Sequence, residues 1–214
     1  MKKKNLIIKQ NAYLEWLKLI KKNNVGIENI QYKSIIKRDY CDFTISNIDT
    51  KLCYKGKKYN RAIQLEGTSV VVIPLLYIKK KIKTLLVSQF RAPLAEFNLE
   101  FPSGNAEIKS LKKSAQMEAF EELGMKIPLK DIKQINRKEI FMLPANNYSR
   151  VFFFYFKKKL NKKMIRSFKD KTYGKNDEGE YISLKLLDFD KILKHSNSAS
   201  VIIGNSLMKY YGIL

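Results

Sequence analysis

Glu118-Ala-Phe-Glu-Glu-Leu-Gly124 places three carboxylates within five positions of a chain that has only 20 acidic residues against 42 basic ones. On a helix Glu118, Glu121 and Glu122 stand at i, i+3 and i+4, so they share one face. Like charges at that spacing cost about 0.2–0.5 kcal/mol per pair. Such a cluster is tolerable as a solvated acidic face. It is useful where a hard divalent cation sits among the carboxylates, because Mg²⁺ is held by a few carboxylates together with substrate phosphates. The triplet alone does not separate these readings, and its surroundings must.

Working outward, Gly124 caps a helix spanning about 110–123. Before it come a Pro102-Ser-Gly turn and a strand at 97–101. Further upstream, 68–78 (TSVVVIPLLYI) reads as a buried strand with one proline, 79–81 (Lys-Lys-Lys) as a hairpin turn, and 82–91 as the antiparallel return. After the helix, strands are predicted at 132–142 and 151–158, a basic loop over 157–171, a strand at 181–187, and helices at 189–194 and 198–211. Near the start, 11–22 carries Tyr13, Trp16, Leu17 and Ile20 on one helical face, with Asn11 as N-cap. Short strands at 30–37, 42–48 and 58–66 follow, with a turn at Tyr54-Lys-Gly-Lys-Lys58. This order of mixed strands, one central helix, more strands and a terminal helix predicts an α+β or α/β/α sandwich, not a Rossmann βαβ series.

With these elements in place, the sequence resembles the Nudix hydrolases, whose box is G-x5-E-x7-R-E-U-x-E-E-x-G-U with U a bulky apolar residue. The run from Glu118 to Met125 matches its final part. The surroundings are similar to the ADP-ribose/ADP-sugar pyrophosphatase branch, which places a VAVIPVL strand, an LVxQFRxP strand and an ExPAG turn before the box. Here these read Val70-Val-Val-Ile-Pro-Leu-Leu76, Leu86-Val-Ser-Gln-Phe-Arg-Ala-Pro93 and Glu100-Phe-Pro-Ser-Gly104. Met142-Leu-Pro-Ala145 resembles the branch's SPG loop, and Asp177-Glu-Gly-Glu-Tyr-Ile182 its late strand entry. The resemblance runs from about 55 to 211. It implies a Nudix-type α/β/α sandwich with a mixed sheet over 67–214, preceded by an N-terminal helix and a small antiparallel strand region over 1–66.

The resemblance also implies roles. Glu118 and Glu122 match the principal metal-binding glutamates, Glu121 a supporting one, and the main-chain carbonyl of Ser103 a further ligand position; Glu118 and Glu121 are the catalytic candidates, with the general base left between Glu121 and Glu178. Arg91 and Glu100 match residues that contact substrate, and Tyr59 falls near an aromatic that stacks on adenine. The implied cofactor is Mg²⁺, with Mn²⁺ as a substitute. The implied substrate is a nucleoside diphosphate joined to another group, ADP-ribose or a nucleotide sugar, giving AMP and a sugar phosphate. The branch forms homodimers through its N-terminal strands, and 25–66 is the segment that would do so here.

The departures are as informative. The box arginine is Met117, the first box glutamate is Lys109, and the spacing from Gly104 to Met117 is one residue short. A methionine supplies neither the charge nor the forked donors of arginine. Glu107 could stand in for the first glutamate if the shortened loop shifts. The segment from Pro144 to Arg150 contains no acid, so Asp177, Glu178 or Glu180 would have to supply it.

Composition bounds the alternatives. The chain has 214 residues, 45% of them hydrophobic, which suits a packed domain of ordinary size. Cys41, Cys53 and the single His195 cannot assemble a zinc site by themselves, and His195 reads as a surface residue. A reducing, cytoplasm-like setting is expected. The apolar run at 6–8 is too short for a secretory signal, and none is long enough to span a membrane. The net charge of +22 invites RNA as a partner. Only six of the basic residues are Arg, however, and abundant Lys, Asn and Ile point to compositional drift. Two rivals to a hydrolase remain: a fold kept as a basic RNA- or ribonucleoprotein-binding module, and a sensor that binds ADP-ribose-like ligands without turnover.

Overall fold

A computed structural model of the chain describes residues 2–37, 44–106, 108–168 and 182–214. In chain order the elements are α1 (Lys2–Ile7), α2 (Asn11–Lys22), β1 (Gly26–Lys37), β2 (Thr44–Tyr54), β3 (Lys57–Ile78), β4 (Lys81–Arg91), β5 (Glu96–Glu100), β6 (Ser103–Asn105), α3 (Leu111–Glu121), β7 (Lys133–Gln134), β8 (Ile140–Phe141), β9 (Asn147–Lys159), α4 (Lys162–Ser167), β10 (Ser183–Asp188) and α5 (Ala199–Tyr210). They form two compact units. One holds Met1–Thr68 with Ile140–Val151, the other Ser69–Glu139 with Phe152–Leu214.

In the first unit β1, β2 and β3 make an antiparallel sheet in which Ile48 pairs with Tyr32 on one side and Ile63 on the other. Burial alternates along β2, with Ser46, Ile48 and Thr50 inside, as the two-residue period of a strand requires. The apolar face of α2 joins that core through Tyr13 and Trp16, packed with Ile7, Leu65 and Tyr148. The polar contacts of the helix are specific. The Tyr13 hydroxyl meets that of Tyr32 at 2.9 Å. Glu15 pairs with Arg150 of β9, which also donates to Thr68 Oγ1 at 2.7 Å.

The second unit is a sheet with a helix on each face. Val70, Val72, Leu76, Leu85, Val87, Phe152, Phe154 and Phe156 cluster with Ala115, Ala119 and Leu123 on the α3 side. The other side receives α5, whose Gly204 comes so close that a Cβ there would lie 2.9 Å from Ile73 and Phe101. β9 pairs with β3. Gln64 N–H donates to Asn146 O, and Leu160 N–H to Tyr77 O, so residue numbers rise together and that pair runs parallel. In this unit the pairs β3–β4, β4–β5 and β4–β10 are antiparallel. The sheet is therefore mixed, and the class is α+β.

One detail of β3 positions the site. β6 pairs with β3 only at residues 69–71, and β4 only at residues 76–78. Pro74 lies in the gap. The N–H of Val72 points to the β6 side, bonding Pro102 O at 2.8 Å, so the N–H that Pro74 lacks would point into the same gap and no ladder bond is lost. At this split β4 leaves β3 for β5, and the chain crosses from Glu100 to Ser103.

Several local expectations need correction. The predicted strands at 58–66 and 68–78 are one strand, β3, which passes through Gly67 at φ +101°; only glycine takes that backbone readily. The predicted strand at 132–142 is two short pairings, β7 and β8, in different units. The basic loop predicted over 157–171 contains α4, capped by Asn161 Oδ1 accepting from Met164 N–H. Asn11 is the first residue of α2 and Gln10 its N-cap. The helix α1 was not predicted; its six residues are too few for a periodicity to show.

Candidate active site

The helix α3 turns about 100° per residue, which fixes what each glutamate faces. Ala115 and Ala119 are fully buried against the sheet, their small side chains allowing close approach. Glu122 falls within about 20° of Ala115 and is 6% exposed. Glu118 lies on the flank of that stripe and Glu121 farther out. The helix ends in a Schellman motif: Met125 N–H bonds Ala119 O at 3.1 Å and Gly124 N–H bonds Phe120 O at 2.9 Å. Gly124 takes φ +64° as that closure demands. Met125 returns to the core beside Ala119, so the stop is held from both ends.

Both carboxylates reach β6. Glu122 Oε2 accepts from Ser103 N–H at 3.0 Å. Glu118 lies against Gly104, where a Cβ would stand 2.0 Å from Oε1. Thus the glycine of the Pro-Ser-Gly turn makes room for one glutamate, and the serine amide anchors the other. Together with the Ser103 carbonyl this is an all-oxygen donor set, the kind a hard cation takes. Among the described residues no three His, Cys, Asp or Glu side chains gather as a preformed metal cluster.

Arg91 and Glu100 face the same side of the sheet as α3, since Arg91 shares the parity of Val87 on β4 and Glu100 pairs directly with Val87. Arg91 donates Nε to Glu100 Oε1 at 2.9 Å and Nη2 to Oε2 at 2.7 Å. Asn98 Nδ2 adds a third donor to Oε1 at 3.2 Å. The sequence reading missed Asn98. Its one signal there is its place two residues before Glu100 on a strand.

Tyr59 belongs to the first unit, on β3 opposite Leu52, with the Arg61 guanidinium 5.9 Å from its ring centre. Met117 points away from the buried stripe and is 49% exposed. Lys109 sits exposed in the 3₁₀ turn before α3. Glu107, Cys41, Asp177, Glu178 and Glu180 lie outside the described residues, as does the start of the strand predicted at 181–187. No helix among the described residues is long and apolar enough to cross a membrane.

The fold has counterparts among known proteins. The crystal structure of an ADP compounds hydrolase superposes with a TM-score of 0.58 over 87% of this chain and 93% of that one, at 15% identity. The fold is of the Nudix type. In sequence, the Nudix hydrolase 14 (chloroplastic) of Arabidopsis thaliana is 24% identical over 161 residues. That alignment takes in 71% of this chain and 52% of the plant protein, so the chain matches about half the length of that relative. No family model matches the chain.

Proposed function

We propose that the protein hydrolyses a nucleoside diphosphate joined to another group, with ADP-ribose or a nucleotide sugar as substrate and AMP and a sugar phosphate as products. One observation carries this: Glu118 and Glu122 are both delivered to the Ser103–Gly104 backbone, one by a hydrogen bond and one through the space a side chain would fill. The likeness to an ADP compounds hydrolase in fold and to a plant Nudix hydrolase in sequence supports the same reading.

Glu118, Glu122 and the Ser103 carbonyl would hold Mg²⁺, or Mn²⁺ in its place. Such a cation neutralises diphosphate charge and lowers the pKa of an attacking water. Arg91, oriented by Glu100, binds a phosphate oxygen. Glu121, at the half-buried outer edge of the same helix face, is the residue that takes the proton from water.

The test is to incubate the protein with ADP-ribose and Mg²⁺ and follow AMP release, with Glu118→Gln and Glu122→Gln alongside and EDTA as the metal-free control. Release that needs both glutamates and the cation supports the proposal. A second reading, ligand binding without turnover, is favoured by the outward-facing Met117 in place of the box arginine. ADP-ribose binding by calorimetry with no AMP formed would establish that reading and end the first.

A further inference from the structure

The far end of the second unit's sheet carries a concentration of lysines that the proposed hydrolysis does not use. Lys79 and Lys80 form the β3–β4 turn and Lys81 opens β4. Lys157, Lys158 and Lys159 close β9. These two runs are nearly eighty residues apart in sequence. The bond from Leu160 N–H to Tyr77 O, at 3.0 Å, sets them side by side. Among the described residues, none of the six has an acidic partner in an ion pair. Asp188, a described acid at this end, is engaged by Lys83 at 2.6 Å and by Lys191 at 3.8 Å, and Lys81 is near enough to help hold its carboxyl below the usual range. The basic run continues past Leu160 into the sequence of α4, KKMIRS.

This end is not the substrate end. Eight residues of β3 separate Val71, paired with Ser103 beside the carboxylates, from Lys79. At about 3.3 Å per residue that is roughly 26 Å, well beyond a Debye length at physiological salt. The 79–81 run therefore does little to steer a diphosphate to Glu118 and Glu122; the 157–159 run, level with about residues 74–77 of β3, lies nearer, at roughly 10–20 Å. A lysine-rich composition explains the number of lysines. It does not explain why the two runs meet at one end of the sheet where, among the described residues, none of the six lysines is ion-paired.

We infer that this surface docks the phosphate backbone of a nucleic acid. Lysine ammonium groups bind phosphates as point charges and read no bases, so the contact is independent of sequence. A membrane-docking surface would pair its basic residues with exposed apolar ones, and no large apolar side chain is exposed within 77–83 or 157–160. This inference stands apart from the hydrolase reading and survives if that reading fails.

The experiment measures fluorescence anisotropy of labelled mixed-sequence single-stranded RNA and DNA 20-mers across a salt series. A variant with Gln at 79, 80, 81, 157, 158 and 159 is compared with a charge-matched control carrying Gln at 18, 21, 22, 51, 57 and 194, all exposed lysines. The patch variant is expected to lose at least tenfold in affinity, the control less than threefold. The log–log salt slope should fall by about 4 in the patch variant, at roughly 0.7 per single-strand phosphate contact released. Binding of both polymers assigns the recognition to phosphate alone, and binding of RNA only adds the ribose hydroxyl as a contact. Equal loss in the two variants, no binding by the parent, or patch-dependent binding to phosphatidylserine vesicles in place of nucleic acid would overturn the inference. Matching melting curves for both variants exclude unfolding as the cause.

Discussion

Arg91 and Glu100 form a two-pronged pair across β4 and β5, with Nε–Oε1 at 2.9 Å and Nη2–Oε2 at 2.7 Å. Both residues were expected to touch substrate. The pairing gives Glu100 a further task, because a guanidinium clamped on two of its donors is held in one plane and one direction. Preorientation of that kind is what a phosphate contact needs to be worth its full energy. Glu100→Ala should therefore raise KM for ADP-ribose about tenfold or more with a smaller fall in kcat. Steady-state kinetics with Arg91→Lys alongside will check it: if Arg91→Lys has the same effect and Glu100→Ala has none, Glu100 does not position the arginine.

Gly104→Ala tests the cradle directly. The backbone of Gly104 is outside the left-handed region, so alanine is not strained there. The atom it would strike, Glu118 Oε1 at 2.0 Å, is the far end of a flexible side chain. The carboxylate swings aside and the fold stays. Activity should fall at least tenfold while the melting temperature moves by only about 1–2 °C, the small shift expected of a change below 1 kcal/mol. A well-folded variant with parental turnover would show that the position of Glu118 against Gly104 does not matter.

The ion pair of Glu15 and Arg150, with Thr68 as a second acceptor, ties α2 to the first unit's strands. Both side chains are largely buried. Removing one partner leaves a charge with no counter-charge in a largely buried site. Arg150→Met should cost about 3 kcal/mol. The double variant Glu15→Gln/Arg150→Met should recover part of that, since no charge is then stranded. Urea denaturation of the parent, the single variants Glu15→Gln and Arg150→Met, and the double variant gives the coupling. Additive single losses, with no recovery, would mean the pair is not a unit.

Tyr13 predicts an alkaline limb of stability. Burial, then its hydrogen bond to Tyr32, raises its pKa above the ordinary 10.0. The folded state therefore favours the neutral phenol. Its contribution is fully present below about pH 10, the unfolded value, and is lost as pH rises through the folded value. Tyr13→Phe should be less sensitive to pH above about 10 than the parent in thermal melts. Parallel curves for the two proteins would rule out this assignment.

Much of this protein was legible before any coordinates. The α2 face, the buried strand around Pro74, the return through Arg91 and the helix closed by Gly124 all appear where their periodicity and end signals place them. These are local rules: a 3.6-residue period, a two-residue period, and a glycine that alone accepts a positive φ. The glutamate spacing was legible for the same reason, because Glu118 and Glu122 share a helix face whatever surrounds it.

Other features depend on contacts that no local rule encodes. The sequence shows Pro102-Ser-Gly as a turn. Only the packed structure makes Ser103 the anchor of Glu122 and Gly104 the space for Glu118. It shows Arg91 and Glu100 as two charged residues; strand register clamps them together. It shows 79–81 and 157–159 as two basic runs, and the pairing of β3 with β9 brings them to one end of the sheet. In each case the partners lie far apart in the chain. A sheet sets its neighbours through backbone hydrogen bonds whose register belongs to the whole fold, while the period of each segment belongs to the segment itself.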